Sequence, residues 1–453
     1  MNKSLSVYLL AWVSFLLFSS TAVGKGWEVG IAKTVITPEQ PMWMAGYAAR
    51  TKPAEGKQHE LWAKAVVLRD STGHVTVMVS SDMLGFTKPL SAAIRHALHR
   101  HYQLSDADIL LNSSHTHSGP VLSGALVDIY PIDEAEQKKI DAYTAWLEGR
   151  IIDLVDRAFK DLEEARVYAD VGVTRFQVNR RNNPAAELYR ASELKGPSDH
   201  SVSVIKITGK KGKLKALLFG YACHPTTLDG YEWSGDFPGY AQIALEESHK
   251  GATALFFQGA CGDQNPLPRR TIALARQYGK ELAAAVESVL EENQMKELKP
   301  ILKTAYQEIN LPFSPVPSRV DLQEVIRKDG DKTYYSRWAH RLIGQLDQGQ
   351  SLPTSYPYPV QVWKLGDQLL FSLAGEVLVD YAINLKNRYG WDAMVLGYNN
   401  DVMGYIPPVR VLEEGGYEGE TSQRVYGLPA KWDPAVESLI YEACDQLVQD
   451  INQ

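Results

Sequence analysis

The feature that most constrains this chain is a repeated unit, a short apolar run that stops at a cluster of polar, turn-forming residues. Residues 75–80 lead into Ser81-Asp82, and 109–111 lead into the stretch from Asn112 through His115, Thr116 and His117 to Gly119-Pro120. Residues 216–219 lead through Tyr221 into Cys223-His224-Pro225, and 254–257 lead into Gly259, Cys261, Gly262 and Asp263. Apolar runs of about four to eight residues bounded in this way read as buried strands. Between them lie helical patterns over 90–101, 142–162, 240–247 and 271–291. In the second of these, Trp146, Leu147, Ile151, Leu154 and Val155 share a face. Strands alternating with helices predict an α/β fold, a layered mixed sheet with flanking helices. Further on, 360–365 and 368–373 form a hairpin turned by Gly366-Asp367, with Glu376 directly beyond it. A strand over 393–396, a loop-rich stretch over 397–427 and an amphipathic helix from Asp433 complete the pattern. A composition dip over 296–317 marks no domain boundary.

The first residues belong to a different category. Lys3 precedes an apolar run over 7–18, then small residues ending Ala22-Val23-Gly24. That is the layout of a secretory signal peptide over 1–24, which leaves 25–453 as the mature chain, exported to the periplasm or the cell exterior. The run is short for a span of about 30 Å of hydrocarbon, and no later stretch approaches the length of a transmembrane segment. The formal net charge is −7. With no long Lys/Arg cluster, a nucleic-acid partner is excluded. Cys223 and Cys261 both follow predicted strands. They read as small buried residues or, since export permits it, as partners in one disulfide.

In open α/β sheets, ligands collect beyond the carboxyl ends of strands. Asp82, His115, His117, His224, Asp263 and Glu376 all follow predicted strands, so they could share one rim that holds a metal. Imidazole and carboxylate are zinc's usual hydrolytic ligands. His115 and His117, two apart on an extended segment, would point the same way; alternatively, either ring bonds loop backbone. His224 could equally be a structural histidine, and Glu376 a helix-start carboxylate. There is no G-x-S-x-G elbow, which disfavours a serine hydrolase.

Taken in order, the segments 112–120, His224-Pro225-Thr226, Gly262-Asp263-Gln264-Asn265-Pro266, Ala374-Gly375-Glu376 and Tyr417-Glu418-Gly419, together with Asn179-Arg180, resemble the catalytic domain of the neutral/alkaline non-lysosomal ceramidases. The similarity begins near Val29 and runs to about Gly427. The resemblance implies zinc held by His115, His224, Glu376 and Tyr417, with His117 and Arg180 contacting the substrate. It implies an N-acyl amide hydrolase acting on a ceramide-like lipid or another N-acylated lipid or sugar, with transient membrane-surface contact. Asn265 stands where the family has a serine, and no separate C-terminal β domain is expected. An asparagine there can donate a hydrogen bond but cannot act as a nucleophile, which favours attack by zinc-bound water over an acyl-enzyme route. The competing readings are a zinc esterase or deacetylase acting on an acylated glycan, and a non-catalytic binding protein that keeps the fold.

Overall fold

The computed structural model describes residues 26–453, so the signal peptide expected over 1–24 lies outside the described residues. Eight strands dominate a nine-stranded mixed sheet: β1 (Trp27–Val35), β2 (Trp62–Arg69), β3 (Val75–Ser81), β4 (Ile109–Ser113), β5 (Glu163–Val173), β6 (Ser201–Thr208), β7 (Leu214–Tyr221) and β8 (Thr253–Gln258). Their order is β8-β7-β6-β5-β1-β2-β3-β4. The two outermost pairs are parallel, and the pairs between them are antiparallel.

These strands are apolar on both faces because both faces are covered. On one face, Ala63, Ala65, Val67, Val77 and Val79 meet α1 (Lys88–Tyr102) and α2 (Glu134–Lys160). On the same side, Val204, Phe219 and Phe256 meet α3 (Asp236–Ser248) and α4 (Ile272–Glu292). The alternate residues Val66, Leu68, Met78, Leu218 and Leu255 face a second sheet, as the two-residue strand period requires. That sheet is β9 (Leu302–Pro312), β10 (Ser355–Leu365), β11 (Gln368–Leu373) and β12 (Met394–Leu396), in that order.

Between β9 and β10 a helical hairpin is inserted, α5 (Arg319–Asp329) and α6 (Tyr334–Asp347), with a small core of its own around Leu322, Trp338 and Leu342. The far face of the second sheet is covered by α7 (Val379–Tyr389) and α8 (Ala435–Asn452). The layers therefore run helix, sheet, sheet, helix, and the expected α/β class is the observed one.

Three features of the sequence take definite form in the structure. The composition dip over 296–317 holds β9, the longest partner of the hairpin strand β10. It reads as polar because most of its side chains are only half covered. Trp146 is 40% exposed, whereas Leu147, Ile151, Leu154 and Val155 are fully buried. The buried stripe starts at 147, and a residue one position away is rotated by about 100°. Cys223, Cys261 and Cys444 are all free, buried thiols, so no bridge joins Cys223 to Cys261. Among the described residues no helix is long and apolar enough to cross a membrane.

The first sheet curls until its two edges meet, and this is what builds the site. The Gln258 N–H donates to the Asn112 side-chain oxygen at 2.9 Å, and the Ser80 hydroxyl donates to the Phe256 carbonyl, joining β8 to β3 and β4. The segment after β12 seals the seam. Asn112 and Asn399 form a bridge, as do Gly259 and Leu396, and the Asn112 amide donates to the Gly397 carbonyl at 3.0 Å. Strand ends remote in sheet order are thereby brought face to face.

Candidate metal centre

His115 follows β4, His224 follows β7, and Glu376 follows β11 of the second sheet. All three are buried, at 0%, 0% and 2% exposure. His115, His117 and His224 each place a ring nitrogen within 4.8 Å of the others. His115 and His117 do converge, with ring centroids 5.0 Å apart, though not by lying on an extended segment. His115 has φ +61°, in the left-handed region, as do Tyr398 at +58° and Asn400 at +64° on the sealing segment. A non-glycine residue there is strained by roughly 1–3 kcal/mol and persists only where its surroundings fix it, commonly at functional sites. Here Ser114 is still paired to Ser81 through its N–H (2.9 Å), while the His117 N–H is drawn to the Pro225 carbonyl at 3.3 Å. The chain must turn sharply between those two anchors.

The hydrogen bonds decide what the rings can do. The His115 Nδ1 lies 2.6 Å from the Leu84 carbonyl, and the His224 Nδ1 lies 2.7 Å from the Cys261 carbonyl. A carbonyl only accepts, so both Nδ1 atoms carry the proton. Burial pulls the His224 pKa down to about 4, although Glu376 opposes it, so this ring is neutral near pH 7. Its Nε2 is then a bare lone pair, yet it sits 2.9 Å from Glu376 Oε2. The His115 Nε2 lies 3.3 Å from the same oxygen. Burial would raise Glu376, but the two imidazoles hold it well below the ordinary carboxylate range. The bare His224 lone pair faces a carboxylate oxygen across 2.9 Å, and a second imidazole nitrogen stands 3.3 Å from the same atom, an arrangement that a cation relieves. Backbone carbonyls orienting the far nitrogens of ligating histidines are the usual support for such a site. The residues fit a metal.

Around this knot stand several further groups. Tyr405 places its hydroxyl 3.5 Å from His224 Nε2 and accepts a hydrogen bond from Arg180 Nη2 at 3.0 Å. Arg180 is held by Glu418 (2.7 Å) and reaches the Asn265 side-chain oxygen at 3.4 Å. Arg180 and Asn265 meet because Gln177–Asn179 and Gln264–Pro266 pair antiparallel just beneath them. Glu376 Oε1 accepts from the Tyr426 hydroxyl, and Oε2 from Tyr398 at 3.4 Å.

The structure does not bring Tyr417 to the knot. It is 43% exposed, its ring edge-on to Tyr405 with centroids 5.4 Å apart. Tyr405 occupies the place beside His224 instead. The stretch 397–427 is loop-rich and contains tyrosines at 398, 405, 417 and 426, and patterning offers no way to choose among them. Asp82 and Asp263 also stay apart from the knot. Asp82 accepts the Trp62 N–H at 3.0 Å. Asp263 accepts from the Asn179 amide at 2.7 Å and from the Val379 N–H that opens α7 at 3.1 Å.

The chain belongs to a known family of proteins. The family model for the neutral/alkaline non-lysosomal ceramidases, N-terminal, matches residues 27–280, more than half of the chain, and the chain is a member of that family. It is 26% identical over 243 residues to neutral ceramidase B of Dictyostelium discoideum, covering 50% of this chain and 33% of that protein. It is 27% identical over 250 residues to neutral ceramidase A of the same organism, covering 50% and 34%. The alignment thus spans about a third of the length of these curated relatives. Neutral ceramidase from Pseudomonas aeruginosa shares the fold with a TM-score of 0.72 at 18% identity, over 93% of this chain and 74% of that one. A ceramidase complexed with C2 superposes with a TM-score of 0.71, also at 18% identity.

Proposed function

We propose that the chain is an exported zinc amidohydrolase that cleaves the N-acyl bond of a ceramide-like or otherwise N-acylated lipid. The observation that carries this is the convergence of two Nδ1-protonated imidazoles on one buried carboxylate, in a member of a ceramidase family. Two nitrogens, a carboxylate and a tyrosine hydroxyl are a ligand set suited to zinc. We assign the ligands as His115, His224, Glu376 and Tyr405, the last in place of Tyr417. When bound, the ion would supply Lewis acidity, polarising an acyl carbonyl and acidifying water.

The surrounding residues supply the rest. Burial and the neighbouring His115 and His224 push the His117 pKa well below its ordinary value, so His117 is neutral and able to take up a proton. Its Nδ1 is buried with no hydrogen-bond partner among the described residues. That makes His117 the group to accept a proton and return it to the leaving amine nitrogen. Arg180, kept cationic and anchored by Glu418, stabilises developing negative charge near Tyr405. The Asn265 oxygen accepts from Arg180 and from the Thr226 hydroxyl at 3.4 Å, which leaves its amide nitrogen as a donor toward the substrate. Neither Asn265 nor the buried thiol of Cys261, which contacts the Tyr398 hydroxyl at 3.1 Å, is an activated nucleophile.

The test is a panel of long- and short-chain ceramides, N-acetylated amino sugars and simple esters, offered to protein whose metal content has been measured. The reading requires near-stoichiometric zinc and release of a free amine from at least one amide. Turnover of esters alone, or full occupancy by another metal that zinc cannot replace, would refute it.

His117 also gives a second test. Gly46 has φ +103°, and a Cβ there would lie 2.5 Å from the His117 ring. Gly46→Ala should therefore displace the ring while leaving the ligands in place. We expect kcat to fall by about tenfold or more with zinc content unchanged, since small misplacements of catalytic groups can cost up to about 100-fold.

A further inference from the structure

On the His117 side of the metal centre, arginines gather around Tyr47. The Tyr47 ring lies 4.8 Å from the His117 ring, and its hydroxyl donates to the Leu228 carbonyl at 3.0 Å. Arg50 and Arg270 both place their guanidiniums over that ring, at 5.0 and 5.1 Å. Arg270 is tied to the segment that follows His224, since its N–H donates to the Thr227 carbonyl at 2.7 Å. Arg269 and Arg270 themselves come soon after Gln264–Pro266, the short strand that carries Asn265. The acids on this side are already engaged. Asp229 meets Arg270 at 3.3 Å, Glu418 is shared by Arg180 and Arg181, and Asp236 accepts the N–H groups of Leu228 and Phe237. Among the described residues, Arg50 bonds only to the Ala45 and Gly230 carbonyls, and its buried Nε has no partner. Arg269 is half-buried and, among the described residues, has neither an ion pair nor a side-chain hydrogen bond. Burial lowers its pKa, and the charges of Arg270 and Arg180 lower it further against the opposing pull of Tyr47, which places Arg269 among these three side chains.

We infer that this cluster receives an anionic group, a phosphate monoester or a carboxylate, carried on the amine half of the substrate. The inference rests on the amide-hydrolase reading of the metal centre and narrows its substrate class. His117 returns a proton to the leaving nitrogen, so the amine half lies on the His117 side, where it meets Tyr47 and the arginines. A guanidinium partly removed from water with no counterion is costly, and an anion relieves that cost. The planar guanidinium fork matches the paired oxygens of a carboxylate or a phosphate. The chain as a whole carries a formal net charge of −7, so a local excess of cations at this site does not follow from composition. A cleft lined by one sign of charge also concentrates a substrate of the other sign. A neutral amine half would leave Arg269 without a partner.

Two measurements on the full, zinc-loaded chain test this. In the first, kcat/KM is compared between matched amides: N-octanoylethanolamine against its O-phosphate and against N-octanoylglycine, and a short-chain ceramide against its 1-phosphate. The charged member should be favoured by about tenfold or more in at least one comparison, the size expected of a hydrogen bond to a charged group. Which comparison shows it tells phosphate from carboxylate, and a soluble amide from a lipid. Arg269→Met should cut that preference by about tenfold or more, and Arg269→Lys should keep part of it. The ratio cancels any general loss of folded or metal-loaded protein. Preference for the neutral member throughout, or an undiminished preference in Arg269→Met, overturns the inference. The second measurement is calorimetric titration with O-phosphoethanolamine and, separately, with N-acetylglycine. Saturable binding of at least one should weaken about tenfold or more in Arg269→Met. Binding of neither, or equal binding in both proteins as for an anion held by the metal alone, overturns the inference. Should the unaltered chain release no amine from any amide, the amide-hydrolase reading fails, and the titration still decides whether the arginines take an anion.

Discussion

Replacing His224 with alanine should remove the metal and the activity together. Its Nε2 lies 2.9 Å from Glu376, and its ring carries no exposed surface, so no other group can substitute for it. Loss of the ion forfeits several kcal/mol of transition-state stabilisation, equivalent to about a thousandfold or more in rate. His115→Ala should behave the same way. His117→Ala should keep its zinc and lose about 10²- to 10⁴-fold in kcat, the range for removal of a general acid–base group. Glu376→Gln should weaken zinc binding by removing the carboxylate charge. Metal analysis of each purified variant, beside an amine-release assay, separates the outcomes. If His115→Ala retained zinc and His117→Ala lost it, the two histidines would have to exchange roles.

The second large effect concerns the tyrosines. Tyr405→Phe removes a hydroxyl that touches both His224 and Arg180. We expect kcat to fall by about 10²- to 10³-fold, as when an oxyanion-type donor is lost. Tyr417→Phe, on a side chain that is 43% exposed, should change kcat by no more than about threefold. Greater damage from Tyr417→Phe than from Tyr405→Phe would return the fourth ligand position to Tyr417.

The contrast between these two tyrosines shows where sequence reading stops. Strands β3, β4, β7 and β8 are visible because burial on both faces forces uninterrupted apolar runs, and His115, His224 and Glu376 are visible because they end such runs. The ladder that joins Arg180 to Asn265 is three residues long on each side, too short to leave a period. Tyr405 and Tyr426 lie in a stretch held by contacts to remote segments. Those contacts include Arg180 Nη2 donating to the Tyr405 hydroxyl at 3.0 Å and the Tyr426 hydroxyl donating to Glu376. Contacts between distant parts of the chain leave no local pattern. The curl of the first sheet was equally hidden, since it depends on Asn112 bonding across a seam to Gln258 and Gly397.

The inserted helical hairpin carries a consequence for how such a protein can diversify. The β9–β10 ladder holds register from Leu302 opposite Leu365 to Pro312 opposite Ser355, and Phe313 still bridges Trp432, so residues 315–354 hang from the sheet and are not woven into it. Their grip on the segments near Leu428 and Asp128 runs through Arg337, Trp338 and Arg341 of α6. An appendage joined in this way can be lengthened, shortened or traded without disturbing the strand ends that supply the imidazoles and the carboxylate. Variation can then collect in a peripheral module while the strand ends stay fixed by the two sheets.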